Sequence, residues 1–398
     1  MSTLWNRKMG SILNFVFEKN TSDINGEHFC LGGPLKNRIE NNYSITSNLQ
    51  LKDGYKNILF YEVEHPDEFL DYILSKKEIT SLLDRDDFKI AYMRTADPTN
   101  EKFYDDNYDI IQKKLNNKVI FMDTNMRLDS KAFVFNFFLE ESAKNYNEIF
   151  YGHDKFQEEL KYSNEPILID ELDTFRNNKF LCFNRTLAKY HRYRLFLDWN
   201  ENNFDDSLFS FLNVYKSIGY DIRELTEKYG QDYCDNLEKK LPIEIDTHHI
   251  KRDGKLVEWD RTHNNFKKEL FLDSCINIVT ETSFELEELF ISEKVVKPLV
   301  GFQPFIVLGP YGYLKELKRL GFKTFDFIWD ESYDDEVDFE KRYDKVLKLI
   351  LSINKKDISE VNEMYKLAKD ICIYNHNHFK SLKEESIYKI FKQIENEW

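Results

Sequence analysis

The chain has 398 residues, a length that suits two domains of ordinary size better than one. Hydrophobic residues make up 41% and aromatics 15%, with 33 Phe and 23 Tyr, which excludes a disordered polypeptide. The net charge of −15 excludes a broad phosphate-tracking surface, because nucleic-acid affinity is built from Lys and Arg that displace counterions; a local basic pocket remains compatible with it.

The opening stretch, MSTLWNRKMGSILNFVFEKN, has no long apolar run and no small-residue cleavage site, so no signal peptide is expected. Nowhere does an apolar run reach the roughly eighteen residues of a membrane span, and a cytoplasmic protein is expected. Cys30, Cys182, Cys234, Cys275 and Cys372 are odd in number and lack a C-x-x-C spacing. They suit a reducing compartment and suggest no zinc site.

Strand and helix patterns alternate from Tyr55 onward. YKNILFYEVEH (Tyr55–His65) predicts a strand, the segment after it a helix through Phe69, Tyr72, Ile73 and Leu74, FKIAYMR (Phe88–Arg94) a strand, a polar helix follows, and KVIFMDT (Lys118–Thr124) is a third strand. Such alternation predicts a parallel sheet with crossover helices, whose ligands sit beyond the carboxyl ends of the strands. Glu62, Glu64, Arg94, Thr95, Asp97, Asp123 and Asn125 fall there.

A polar break, DELDTFRNNK, sets a domain boundary between residues 172 and 173. FLCFN (Phe180–Asn184) opens a second alternation: a helix from Lys189 to Trp199, a long polar and partly helical middle from Leu208 to Phe271, strand CINIVT, a helix, strand PFIVLG, helix GYLKELKRLG and strand-like FKTFDFIW. From Asp334 the chain reads as helical and charged.

Two clusters carry candidate chemistry. In FNRTLAKYHRYRLFLDWN, Asn184 and Arg185 end a strand while His191, Arg192 and Arg194 start a helix, a corner that points backbone N–H groups and guanidinium groups at one spot and suits a diphosphate. In FISEKVVKPLV, Ser292 is a reasonable N-cap and Glu293 complements the helix dipole, but Lys294 opposes it unless an anion is bound beside it. Thr280, Glu281, Thr282 and Ser283 lie just upstream at a strand end, where Glu281 is a candidate contact for a sugar or nucleotide. Glu285 and Glu293 stand eight apart, a spacing found in retaining sugar transferases that means little among so many glutamates. Trp329, Asp330, Glu331, Tyr333 and Asp334 pair an aromatic with carboxylates, which can bind a sugar or simply face solvent. His248, His249 and His263 read as loop histidines without metal-ligand spacing.

TETSF…FISEKVVKPLVGFQPFIVLG resembles the donor-binding motif of the α1,3-fucosyltransferase family, and the continuation through Arg342 resembles fucosyltransferase-like proteins of large DNA viruses and bacteriophages, whose NR…HR segment matches Asn184, Arg185, His191 and Arg192. Two extra residues separate Glu281 from the Ser-Glu-Lys triplet relative to the family pattern. The resemblance implies an α/β chain of the GT-B type with two Rossmann-like domains facing a cleft. An acceptor-side domain would span 1–172, a nucleotide-sugar domain 173–356, and helices 357–398 would pack back on the first domain. It implies a transferase using a nucleoside-diphosphate sugar, GDP-fucose-like or a UDP-sugar, with a glycan or other hydroxyl acceptor, inversion, no metal and no other cofactor, in the host cytoplasm if viral or phage. Arg192 and Lys294 would hold the diphosphate with Asn184 and Arg185 nearby, Glu293 the ribose, Glu281 with Ser283 the sugar end, and Glu62 or Glu64 would be the catalytic base, with Asp97 and Asp123 as alternatives. A retaining transferase, a modifier of hydroxylated bases in phage DNA, and a non-catalytic nucleotide-sugar-binding protein are the competing readings; the net charge speaks against nucleic acid.

Overall fold

A computed structural model describes residues 13–16, 43–46, 48–63, 68–94, 99, 101–128, 131–144, 146, 165–187, 189–213, 223–245, 248–252, 255–259, 266–284, 288–382 and 385–398. By its contacts the chain divides into two compact units, Met1–Phe137 with Glu385–Trp398, and Phe138–Glu384. The sequence reading put the boundary at 172/173; the contacts place 138–172 with the second unit.

The first unit holds six parallel strands: β1 (Leu13–Val16), β2 (Ser44–Thr46), β3 (Lys56–Glu62), β4 (Phe88–Met93), β5 (Val119–Asp123) and β6 (Phe133–Val134), in spatial order β2-β1-β3-β4-β5-β6. The alternation of β3 decides its packing, because successive side chains of a strand point to opposite faces. Leu59, Tyr61 and Val63 join one core with Phe69 and Ile73 of α1 (Phe69–Ser75) and with Phe103, Tyr104 and Ile111. Ile79 of α2 (Lys77–Thr80) belongs to the same core, and Phe103, Tyr104 and Ile111 come from α3 (Glu101–Lys114). Ile58 and Phe60 face the other way, onto Ile387, Ile390, Phe391 and Ile394. Those four share one stripe of the last helix at spacings of three and four residues, and burying each contributes roughly 1.5–3 kcal/mol. The strands β1, β2 and β6 carry no long alternating run and are absent from the sequence reading.

The second unit contains a four-stranded parallel sheet, β7 (Asn178–Thr186), β8 (Ser207–Asn213), β11 (Ser274–Thr280) and β12 (Phe305–Leu308), in the order β12-β11-β7-β8; a separate antiparallel pair is formed by β9 (His248–Arg252) and β10 (Lys255–Trp259). Its helices in chain order are α4 (Phe137–Lys144, which begins at the division), α5 (Tyr190–Glu201), α6 (Arg223–Tyr229), α7 (Gln231–Glu238), α8 (Lys268–Leu272), α9 (Val296–Val300), α10 (Tyr313–Arg319), α11 (Phe339–Asn354) and α12 (Ile358–Ser381); α13 (Glu385–Glu397) returns to the first unit. Every residue of β11 is buried, as expected of a strand covered on both faces. Taken in chain order, both sheets place their first four strands as second-first-third-fourth, a doubly wound arrangement whose crevice lies between the first and third strands. The chain is therefore α/β with two Rossmann-like sheets. In the second unit the crevice falls between the carboxyl ends of β7 and β11, and in the first between those of β1 and β3.

The strand expected over FKTFDFIW does not form. Residues 322–330 are loop and turn, with Phe322, Phe325 and Trp329 buried and Phe327 exposed. Spacings of three and four do not fit an alternating strand, and Glu331 fixes the bend by accepting from the Phe325 N–H (2.7 Å) and the Thr324 hydroxyl (2.6 Å).

Candidate donor site at the carboxyl end of β11

The carboxyl end of β11 gathers groups from four elements. Thr280 donates its hydroxyl to Asn184 Oδ1 of β7 (2.6 Å), and Asn184 donates its side-chain N–H to Cys182 Sγ (3.1 Å). Asn184 is buried, and its bond from Thr280 ties β7 to β11 while its bond to Cys182 stays within β7. One turn into α5, Arg192 donates through Nη2 to the carbonyls of Thr280 (3.1 Å) and Glu281 (2.9 Å). His191 Nε2 lies 3.0 Å from the same Glu281 carbonyl; a carbonyl can only accept, so this nitrogen carries the proton. The His191 ring stacks on Phe284, 4.9 Å between centroids. At its start α5 has Lys189, and not a capping Ser or Asp, in the cap position.

The Ser-Glu-Lys triplet closes the other side. Ser292 caps a single 3₁₀ turn, Glu293–Val295, that runs into α9, its Oγ accepting from the Lys294 N–H at 3.2 Å. Lys294 Nζ donates to Thr282 Oγ1 (2.9 Å), Glu293 Oε1 (2.9 Å) and Ser292 Oγ (3.3 Å). Glu293 and Lys294 are partly exposed, 22% and 27% by side chain. Glu281 is fully buried: Oε1 accepts from the Tyr313 hydroxyl (2.5 Å), and Oε2 from the Ser292 hydroxyl (2.5 Å) and the Thr282 N–H (3.1 Å). Burial first, then the Glu281 charge, pushes the Tyr313 hydroxyl well above the ordinary tyrosine range, so it remains a donor.

The loops around this strand end are held by Arg342. Its guanidinium donates to the carbonyls of Gly309 (3.0 Å), Glu336 (2.7 Å), Val337 (3.0 Å) and Phe284. At Gly309 a Cβ would stand 2.9 Å from Val307 Cγ1 and 3.3 Å from Tyr313, so a side chain there would disturb the tyrosine that reaches Glu281.

Of the residues singled out in the sequence, Asn184, Arg192, Glu281, Glu293 and Lys294 come together here, and Ser283 is buried in the loop directly after Glu281. Arg185 is the last residue but one of β7, and its side chain lies outside the described residues. Arg194 belongs elsewhere: it pairs with Glu340 (2.5 Å) and Asp344 (2.5 Å) of α11 and covers the Tyr343 ring. The Trp329–Asp334 cluster is structural, since Asp334 caps α10 by accepting from the N–H groups of Leu314 (2.9 Å) and Lys315 (3.0 Å) and Asp330 accepts from Ser332 (2.9 Å). Tyr313 and Arg342 are missed by the sequence reading: Arg342 ends the stretch that carries the family resemblance but stands among other charged residues with nothing to set it apart, and Tyr313 carries no motif.

In the first unit, Glu62 ends β3 at the crevice position, its side chain outside the described residues. Glu64, Thr95, Asp97, Glu285 and His263 lie outside them entirely, as do the side chains of His248 and His249. Arg94 donates to the Val63 carbonyl. Asp123 is fully buried and accepts from the Asn125 N–H (2.8 Å), the Tyr104 hydroxyl (3.0 Å) and the Thr99 N–H (3.3 Å). Burial raises its carboxyl to about 6 against the lowering effect of those donors. Among the described residues no group of three or more His, Cys, Asp or Glu is arranged to hold a metal ion, and no helix is long and apolar enough to cross a membrane.

No protein-family model matches the chain, and no curated protein matches it. Among solved structures, an α1,3-fucosyltransferase with GDP is similar over 93% of this chain and 93% of its own, at 8% identity and a TM-score of 0.35. An α,α-trehalose 6-phosphate synthase from Burkholderia multivorans is similar over 97% of each chain, at 8% identity and a TM-score of 0.40. Scores this low leave the fold to rest on the strand pairings above.

Proposed function

We propose that the chain is a GT-B-type glycosyltransferase that moves a sugar from a nucleoside diphosphate to a hydroxyl of a glycan acceptor, with inversion and without a metal. The observation that carries this reading is the bonding of Arg192 and Lys294, from separate elements, to residues 280–282 at the crevice end of β11. Two cations held at one strand end, one of them in the first turn of α5, suit a departing diphosphate, because preorganised positive groups stabilise charge where it develops. The sequence resemblance to α1,3-fucosyltransferases falls on these same residues.

In this reading the acceptor oxygen bonds to the anomeric carbon as the bond from that carbon to the diphosphate oxygen breaks. The acceptor proton passes to a carboxylate of the first unit, Glu62 or Glu64, and the charge left on the diphosphate is met by Arg192 and Lys294. Glu293 is a partly exposed partner of Lys294 and carries the one negative charge among the groups bonded to its Nζ, so a phosphate takes its place most readily, and the released carboxylate is then available to ribose hydroxyls.

A thermal-shift screen against GDP-, UDP-, CDP- and dTDP-sugars tests the proposal. Stabilisation by one nucleotide class is expected, followed by transfer or slow donor hydrolysis that persists in a chelator. No shift with any donor would sink the transferase reading; activity lost in chelator and restored by manganese would remove the metal-free part of it.

A further inference from the structure

We infer that Glu281 does not touch the donor and is instead the positioning residue that presets both Arg192 and Lys294; the inference rests on the transferase reading. The family resemblance would place Glu281 against the sugar. Its carboxylate, however, is fully buried and accepts three bonds, from Tyr313 (2.5 Å), Ser292 (2.5 Å) and the Thr282 N–H (3.1 Å). A sugar hydroxyl could reach it only by displacing one of these where no solvent repairs the loss.

The direction of the Ser292 bond explains what the carboxylate accomplishes. Ser292 donates its single hydroxyl proton to Glu281 Oε2 (2.5 Å). Its lone pairs are then turned toward the Lys294 N–H (3.2 Å) and Nζ (3.3 Å). The same carboxylate fixes the Thr282 backbone, and Thr282 Oγ1 takes another Nζ proton at 2.9 Å. From the main chain of the same residue, the Glu281 carbonyl holds His191 (3.0 Å) and Arg192 (2.9 Å). One residue thus sets Lys294 through its side chain and Arg192 through its backbone. Without the carboxylate, the Ser292 hydroxyl is free to rotate and the Thr282 N–H loses its acceptor, which loosens two of the three partners that place Lys294 Nζ and weakens the preorganisation of the site.

The test is a double-mutant cycle read by calorimetry with GDP and UDP on wild type, Glu281→Gln, Lys294→Ala and the double variant, with melting temperatures recorded alongside. Gln keeps the volume of Glu and removes its charge. Nucleotide affinity is expected to fall about tenfold or more in Glu281→Gln, and the double variant to bind no worse than Lys294→Ala, since residues acting through one another are not additive. Losses that multiply would mean that Glu281 meets the ligand independently, and wild-type affinity in Glu281→Gln would mean that it positions nothing; either overturns the inference while leaving the transferase reading intact. Should Glu281→Gln fail to fold, Ser292→Ala cuts the same link, and unchanged binding there is equally fatal. Wild type that binds neither nucleotide overturns the transferase reading and this inference together, a result visible before any variant is compared.

Discussion

Arg192 and Lys294 are bonded to successive residues of one strand end, the guanidinium to the carbonyls of Thr280 and Glu281 and the ammonium to the hydroxyl of Thr282. Their partners differ in kind, and the difference separates their expected mutant behaviour. Lys294→Ala frees the Thr282 hydroxyl and a partly exposed Glu293 carboxylate that water can satisfy, while buried Ser292 Oγ keeps its bond from the residue-294 N–H, so nucleotide affinity is expected to fall at least tenfold with little change in melting temperature. Arg192→Ala strips a buried donor from two carbonyls and is expected to lose binding together with about 1–3 kcal/mol of stability. Calorimetry and denaturant melts on the two variants check the contrast; equal stability losses would refute it.

His376 of α12 predicts an acid-sensitive second unit. Its Nδ1 lies 3.2 Å from the Leu299 carbonyl and must carry the proton, while Nε2 accepts from the Tyr146 hydroxyl (3.1 Å) and the ring stacks on Phe302. Burial lowers its pKa to about 4. The unfolded chain takes up a proton near pH 6.5 and the folded one does not, so stability falls as pH drops from 6.5 toward 4, by on the order of 3 kcal/mol in full. Denaturant melts of wild type against His376→Gln over that range are expected to converge as the pH falls. Parallel curves would show that His376 does not titrate this way.

Asp123 gives the opposite slope. Its carboxyl is raised to about 6, above the value of about 3.9 expected in the unfolded chain. The folded state keeps a proton that the unfolded state has released, so this contribution is present below pH 4 and is lost as pH rises through 6. Asp123→Asn is expected to remove that slope from the stability of the first unit. Hydrogen exchange of β5 amides at several pH values is the measurement, and an unchanged profile would contradict it.

Gly301→Ala tests packing under the candidate site. A Cβ there would stand 2.2 Å from Phe271 Cδ1, a ring already stacked on Phe266 with 4.4 Å between centroids. Overpacking of this kind costs about 1–3 kcal/mol, and melts of the variant should show it. A neutral result would mean that the Phe271 ring moves aside at no cost.

Much of the architecture was legible where periodicity alone decides it. The alternation of Ile58 and Phe60 with Leu59 and Tyr61 marks β3 as a strand covered on both faces, and the cores confirm both sides. The strand β8 was lost in a segment read as polar because its middle residue is Ser210, whose hydroxyl accepts from the Asn184 N–H (3.2 Å), a bond visible only once β7 lies beside it. Arg194 illustrates the same limit at the site. In sequence it is indistinguishable from Arg192 two positions earlier, yet one turns to carbonyls of β11 and the other to Glu340 and Asp344 of α11. The Ser-Glu-Lys cap was readable because an N-cap is a local device, whereas the bond of Tyr313 to Glu281 joins the first residue of α10 to the loop after β11, and no spacing encodes it.

The return of α13 to the first sheet makes the first unit hostage to a segment that follows the whole of the second unit in the chain. Ile387, Ile390, Phe391 and Ile394 are the side chains that cover Phe15, Ile58 and Phe60. A frameshift or nonsense change shortly before Glu385 would spare every strand of that sheet and still leave one of its faces bare, a surface prone to aggregation. Expression of the first 384 residues is therefore a poor way to obtain either half, and a fusion that carries residues 385–398 on a flexible tether behind residue 137 is the sounder way to isolate the first unit.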